Sequence, residues 1–190
     1  MTEQRAKDTG RTGLEPLAVG LTIFGAFLRL LPHPPNFAPA GSLSLFAGSR
    51  LGGWQAYLVP ILLMAVTDPL RVMIFHPGHP PFSAGTPFIY GSLLMGVWIG
   101  RRWLQNPSIA RVAVAASAVS LQFFLVTNTA EWLLTATYPH TTAGLLACFV
   151  AAIPFFGSTL ASDLLYSGVL FGLYAWTRRW TGSASSVPAK

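Results

Sequence analysis

Every histidine in the chain, His33, His76, His79 and His140, stands in a segment broken by proline or glycine, while Arg29, Asp68, Arg71, Glu131 and Asp163 stand within or at the ends of apolar runs. A charge in hydrocarbon costs several kcal/mol unless it finds a partner or a wet cavity. Asp68 and Arg71, three residues apart on one helical face, would pair with each other or meet a ligand, and Asp163 would satisfy Arg29. His76 and His79 have the spacing to share an ion on a helix, but Pro77, Gly78 and Pro80 predict a turn. A single neutral imidazole can still be the axial ligand of a metal already held in a macrocycle. The plainer reading leaves these histidines solvated at headgroup level. Cys148, in the apolar segment GLLACFVAAIPFF, reads as a small core residue, because nothing near it in sequence would lower its pKa. No nucleophile and base pair and no glycine loop for phosphate is apparent, so neither an enzyme nor an ATPase is expected.

The composition says what must position these groups. The 190 residues are 52% hydrophobic and only 9% charged, whereas soluble domains carry roughly a quarter charged residues. The net charge of +6 is gathered in short clusters beside apolar runs, a pattern of membrane topology rather than of nucleic-acid binding. With one cysteine, neither an internal disulfide framework nor a cysteine-based zinc site is available. A helix crossing hydrocarbon needs about 20 apolar residues, so the length admits about six or seven crossings in one domain.

Apolar runs cover 14–31, 38–49, 54–75, 86–100, 108–128, 141–156 and 158–177. The first ends at Pro32 in HPPNFAP, the second is short for a crossing, and the third carries Pro60 and Pro69, which would kink it. Residues 1–13 read as a cytoplasmic tail, 14–180 as a transmembrane substrate-binding domain and 181–190 as a disordered cytoplasmic tail. Short loops rich in Lys and Arg stay cytoplasmic. Arg5, Lys7 and Arg11, then Arg101, Arg102 and Arg111, then Arg178 and Arg179 should therefore share one side. That requires an even number of crossings between clusters and makes 141–156 a partial or re-entrant helix before the last span. The expectation is an all-α integral membrane protein with about six transmembrane helices in one bundle and both termini cytoplasmic. All the histidines then fall in outer loops, with Asp68, Arg71, Glu131 and Asp163 within a turn or two of that face.

Phe37, Phe82, Phe88, Tyr90, Trp132 and Tyr138 lie in or beside the same loops, as an interfacial belt or as the lid of a pocket. Ala18, Thr22 and Ala26 form a small-residue stripe on the first helix, suited to internal packing or to docking another membrane subunit.

The segments RLLPHPPNFAPAGSLSLFAG (29–48), TDPL (67–70) and TAGLLACFVAAIPFFGSTLASDLLYSGVLFG (142–172) resemble small bacterial membrane proteins that include predicted cobalamin uptake proteins. These are related to the substrate-binding S components of energy-coupling factor (ECF) transporters. The resemblance covers most of the chain and implies a six-helix S-component fold in the bacterial cytoplasmic membrane. It also implies an outward pocket under 33–39, 76–85 and 128–140, with Ala18, Thr22 and Ala26 docking a coupling subunit that works with ATPases. Some members are thought to present a cysteine to cobalt between the third and fourth helices; here that stretch holds His76 and His79 instead.

The expected function is a substrate-binding subunit for vitamin uptake that captures cobalamin, or another corrinoid, from the outer face as transported ligand rather than cofactor. His76 or His79 would be the axial ligand, and Asn36, Phe37, Asp68, Arg71, Phe82, Tyr90, Asn128, Trp132 and Tyr138 would contact substrate. The alternatives are an importer of a transition-metal ion or another vitamin, and a non-transporting membrane scaffold without a cavity of ligand size, about 300 Å³ or more, beneath the outer loops.

Overall fold

The computed structural model describes residues 15–184, with side chains described to residue 180. Arg5, Lys7, Arg11 and the rest of the first expected tail lie outside the described residues, as does 185–190. The described chain is helical throughout: α1 (Pro16–Leu28), α2 (Ala40–Arg50), α3 (Gln55–Phe75), α4 (Thr86–Trp103), α5 (Ile109–Leu134) and α6 (Thr142–Ala184).

The short helix α2 is the axle. Residues 41–49 are all buried, and α2 touches each of the other helices. Its sequence, AGSLSLFAGSR, permits this because small residues let backbones approach closely. A Cβ added at Gly48 would overlap the Val97 carbonyl, and one at Gly100 the Leu45 carbonyl, so α2 and α4 meet backbone to backbone. Ser42 and Ser44 turn their hydroxyls onto the carbonyls of Pro39 and Ala40 (3.1 and 3.0 Å), which satisfies both within their own helix. Phe46 fills the space between α2 and α6, edge-on to Phe171 and Tyr174 at 5.3 and 5.8 Å.

The outer surface is apolar, with Ile23, Phe24 and Phe27 on α1, Leu58, Leu62 and Val66 on α3, and Leu146, Val150 and Ile153 on α6 all exposed. Serines inside and large apolar side chains outside suit a lipid solvent. Three helices are long and apolar enough to cross a membrane: Gln55–Phe75, Ile109–Leu134 and Thr142–Trp180. Six crossings were expected. By contrast, α2, with 11 residues, spans about 16 Å of a hydrocarbon layer about 30 Å thick.

The expected partial or re-entrant helix at 141–156 is absent, because the two last apolar runs form the single helix α6. Pro154 lies inside it; one proline removes one hydrogen bond, that to the Val150 carbonyl, and the flanking turns carry the helix across. Likewise α5 continues beyond Asn128 to Leu134, taking in Glu131 and Trp132.

Contacts at helix ends set the directions. Glu15, before α1, accepts from the Tyr174 hydroxyl (2.6 Å) and Arg178 (3.4 Å) late in α6. Ser49 donates to the Leu104 carbonyl (2.5 Å), and Arg101 to the Gly53 carbonyl (2.8 Å). The ends of α2, α4 and α6 therefore gather with the starts of α1 and α3 at an arginine end. At the opposite end Arg29, closing α1, meets Asp68 late in α3 and Tyr90 early in α4, in a cluster centred on Asp68. The connections 29–39, 76–85 and 135–141, which carry all the histidines, belong to that histidine end.

Candidate functional site

The polar groups at the histidine end converge on Asp68. Its Oδ1 accepts from Arg29 at 2.8 Å and its Oδ2 from the Tyr90 hydroxyl at 2.8 Å. Arg29 donates its other terminal nitrogen to the Thr67 hydroxyl at 2.6 Å. Three helices are thus tied by one carboxylate. The Arg29 side chain is 6% exposed and that of Asp68 20%, a degree of burial in which an ion pair persists only when its remaining donors and acceptors are satisfied. Proline at position 69, inside α3, cannot donate to the Ala65 carbonyl, so the ionic site stands beside a gap in the helix ladder.

This geometry corrects two expected pairings. Asp68 spends both oxygens on Arg29 and Tyr90 rather than on Arg71, which makes no hydrogen bond or ion pair among the described residues, its Nε being shut from solvent without a partner. Asp163 does not meet Arg29. It lies 1% exposed against the start of α2, where Oδ1 accepts from the Ser42 amide (3.0 Å) and Oδ2 from the Ser120 hydroxyl (2.8 Å). The first turn of α2 has no acidic residue and its N-cap, Pro39, offers no side-chain acceptor. Asp163 of α6 supplies that cap from 121 residues away, satisfying an orphan amide and placing negative charge at the positive helix end.

The remaining candidates fall into separate loops. In the PHPPNFAP loop, Asn36 adopts φ 60, a left-handed conformation that asparagine tolerates, and turns the chain so that Phe37 packs on Tyr166 at 5.9 Å. The Ser162 hydroxyl holds this loop through the Ala38 carbonyl at 2.9 Å. His33 turns Nδ1 to the Pro34 carbonyl (2.9 Å), leaving Nε2 buried without a partner. His76 and His79 form the expected turn, with Gly78 at φ 92, both imidazoles exposed and ring centres 6.3 Å apart. Phe82 is exposed in the same connection.

Between α5 and α6, Trp132 donates to the Pro139 carbonyl (2.9 Å) and stacks edge-on with His140 at 5.5 Å. Asn128 turns its amide back onto Phe124, its own carbonyl facing Cys148 at 3.5 Å, and Tyr138 is half-buried. Local bonds thus account for Trp132, Asn128 and His140, while Tyr90, Asp68 and the unanticipated Thr67 join across helices. Thr67 carried a faint signal, a hydroxyl beside an aspartate before a proline in an apolar run. Among the described residues no group of three or more His, Cys, Asp or Glu gathers to hold a metal ion.

The small-residue stripe is also corrected. Ala18, Thr22 and Ala26 are 0%, 0% and 3% exposed. They face the chain's own bundle, beside Gly25, where Leu43 and Leu170 approach, and Thr22 spends its hydroxyl on the Ala18 carbonyl (2.7 Å). The stripe therefore faces the bundle interior, while Ile23, Phe24 and Phe27 are the exposed residues of α1. An open apolar cleft of about 420 Å³ lies at the arginine end, lined by Trp103, Ala110, Arg111 and Val114, not beneath the histidine-bearing loops.

A family model matches residues 14–185, and the chain belongs to that family, DUF6580, a family of unknown function. No curated protein and no solved structure matches it.

Proposed function

We propose that this member of DUF6580 is a substrate-binding protein for solute uptake, embedded in the bacterial cytoplasmic membrane with its histidine end outward and both termini cytoplasmic. The observation that carries the reading is the cluster of Arg29, Thr67, Asp68 and Tyr90 tying α1, α3 and α4 together at the end where every imidazole lies. Intramembrane ionisable residues of this kind are costly and mark solute pathways. The substrate class follows from the resemblance to cobalamin uptake proteins. A corrinoid already holds its cobalt in a macrocycle and asks the protein for one axial ligand, which exposed His76 or His79 can supply without a multi-ligand site. Phe82 on the same connection, with Asn36, Phe37 and Tyr138 on neighbouring loops, would cover the ring. Transport would need a coupling subunit with ATPases, seated on a face other than the small-residue stripe.

Protein purified from cells grown with cobalamin should carry corrinoid absorbance in the visible, and His76→Ala or His79→Ala should shift that spectrum. Absence of corrinoid absorbance, with no calorimetric heat on adding cobalamin to the apo protein, refutes this substrate. The scaffold reading draws on the position of the 420 Å³ cleft at the arginine end and predicts the same blank result.

A further inference from the structure

Asp68 is fully subscribed: one oxygen accepts from Arg29, the other from Tyr90, each at 2.8 Å. Arg71 follows one helical turn later on α3, close enough to feel the charges of both Asp68 and Arg29, yet it has no ion pair and its Nε is closed off from solvent without an acceptor. Arg29 likewise keeps a buried Nε with no acceptor. Two guanidinium groups therefore share one carboxylate and leave one positive charge uncompensated. Arg71 is only partly buried, so its terminal nitrogens stay accessible beside the shut-off Nε, and arginine's planar fork matches the oxygens of phosphate and carboxylate.

We infer that Arg71, set beside the Arg29–Asp68–Tyr90 network, binds an anionic phosphate group at the histidine end, borne either by a lipid headgroup or by the solute itself. Asp68 and Tyr90 serve as positioning residues: Arg29 and Tyr90 occupy the two Asp68 oxygens, so that Arg71 makes no direct ion pair with that carboxylate. The inference deepens the proposed function by specifying a charged group of the ligand, and rests on that reading only if the phosphate belongs to the solute.

The test uses the full chain in neutral detergent, with melting followed against inorganic phosphate and, separately, against phosphatidylglycerol or phosphatidylcholine. A ligand of the folded state raises the melting temperature by an amount that grows with the logarithm of its free concentration above Kd. The expected result is a rise with phosphatidylglycerol or with inorganic phosphate and none with phosphatidylcholine. Arg71→Gln should weaken that response roughly 10-fold or more, the loss of one charge-assisted contact, while melting like the unaltered protein without anion. Arg111→Gln, at the arginine end, should respond as the unaltered protein does. Response to phosphatidylglycerol alone assigns the site to lipid; response to free phosphate assigns it to a solute. No response to either anion, or an Arg71→Gln response equal to that of the unaltered chain, overturns the inference. An Arg71-dependent response in a protein that binds no corrinoid supports it while removing the corrinoid reading.

Discussion

Replacing Asp163 tests the claim that α2 is capped from another helix. In Asp163→Ala the Ser42 amide loses its acceptor at a site 1% exposed. A stranded buried donor costs about 1–3 kcal/mol before the lost attraction between carboxylate and helix terminus is counted. Set against a whole-protein stability of about 5–15 kcal/mol, that is a large fraction. Asp163→Asn keeps one oxygen for the Ser42 amide, and Ser120 retains the Ala116 carbonyl at 3.0 Å, so it should cost about 1–2 kcal/mol. Reversible unfolding in mixed micelles of rising sodium dodecyl sulfate, followed by circular dichroism, measures both, and hydrogen exchange at the Ser42 amide reports the cap directly. A Cβ at Gly41 would stand 2.5 and 2.6 Å from the two carboxylate oxygens. Gly41→Ala should therefore destabilise alone, but less than additively in an Asp163→Ala background. Asp163→Ala within about 0.5 kcal/mol of the unaltered protein, or an unchanged Ser42 exchange rate, would refute the reasoning.

Other outcomes follow from the same contacts. Asp68→Asn leaves Arg29 buried without its counter-charge and should cost about 3–5 kcal/mol in the same unfolding assay, whereas Tyr90→Phe, which removes one neutral donor, should cost about 1 kcal/mol. Gly100→Ala pushes a methyl into the Leu45 carbonyl, backbone that cannot rotate away, and should cost about 1–3 kcal/mol; Gly20→Ala, with nothing within 4 Å, should be neutral or stabilising by up to about 1 kcal/mol. In a Cys148→Ala background, His79→Cys and Arg102→Cys should react with a membrane-impermeant thiol reagent from opposite sides of intact cells and inverted vesicles; labelling of both from one side would remove the outward histidine end.

Much of the helical pattern is legible in the sequence because it depends on local chemistry. The runs ending before Pro32 and after Phe75 stop where prolines and glycines remove amide donors or favour turns. The division expected between 141–156 and 158–177 does not occur, because Pro154 strands only the Val150 carbonyl and the helix runs on through Gly157. The small-residue stripe is legible as a stripe, but periodicity alone does not say which neighbour it faces; the neighbours are α2, a run noted as short for a crossing, and α6.

The charge pairings were less legible for a physical reason. Sequence favours the nearest opposite charge, Arg71 three residues from Asp68, but in a lipid-facing bundle the carboxylate goes to the cation that would lose most without it. Arg29 is 5% exposed, while Arg71, within a turn of the end of α3, is partly exposed and can extend its terminal nitrogens toward headgroup water. Asp163 was harder still, since its backbone partner is an amide, which has no residue-type signature. The available clue was negative: the sequence Pro39-Ala40-Gly41-Ser42 opens a buried helix with no acceptor of its own. A helix start without a cap in an apolar chain requires an acceptor from elsewhere, and of the acidic residues in the described chain only Asp163 is fully buried. Read that way, the two acidic groups divide their work. Asp163 is consumed by the backbone and fixes α2 as the axle, whereas Asp68 is tied to side chains on α1 and α4 beside Arg71, which has no ion pair among the described residues.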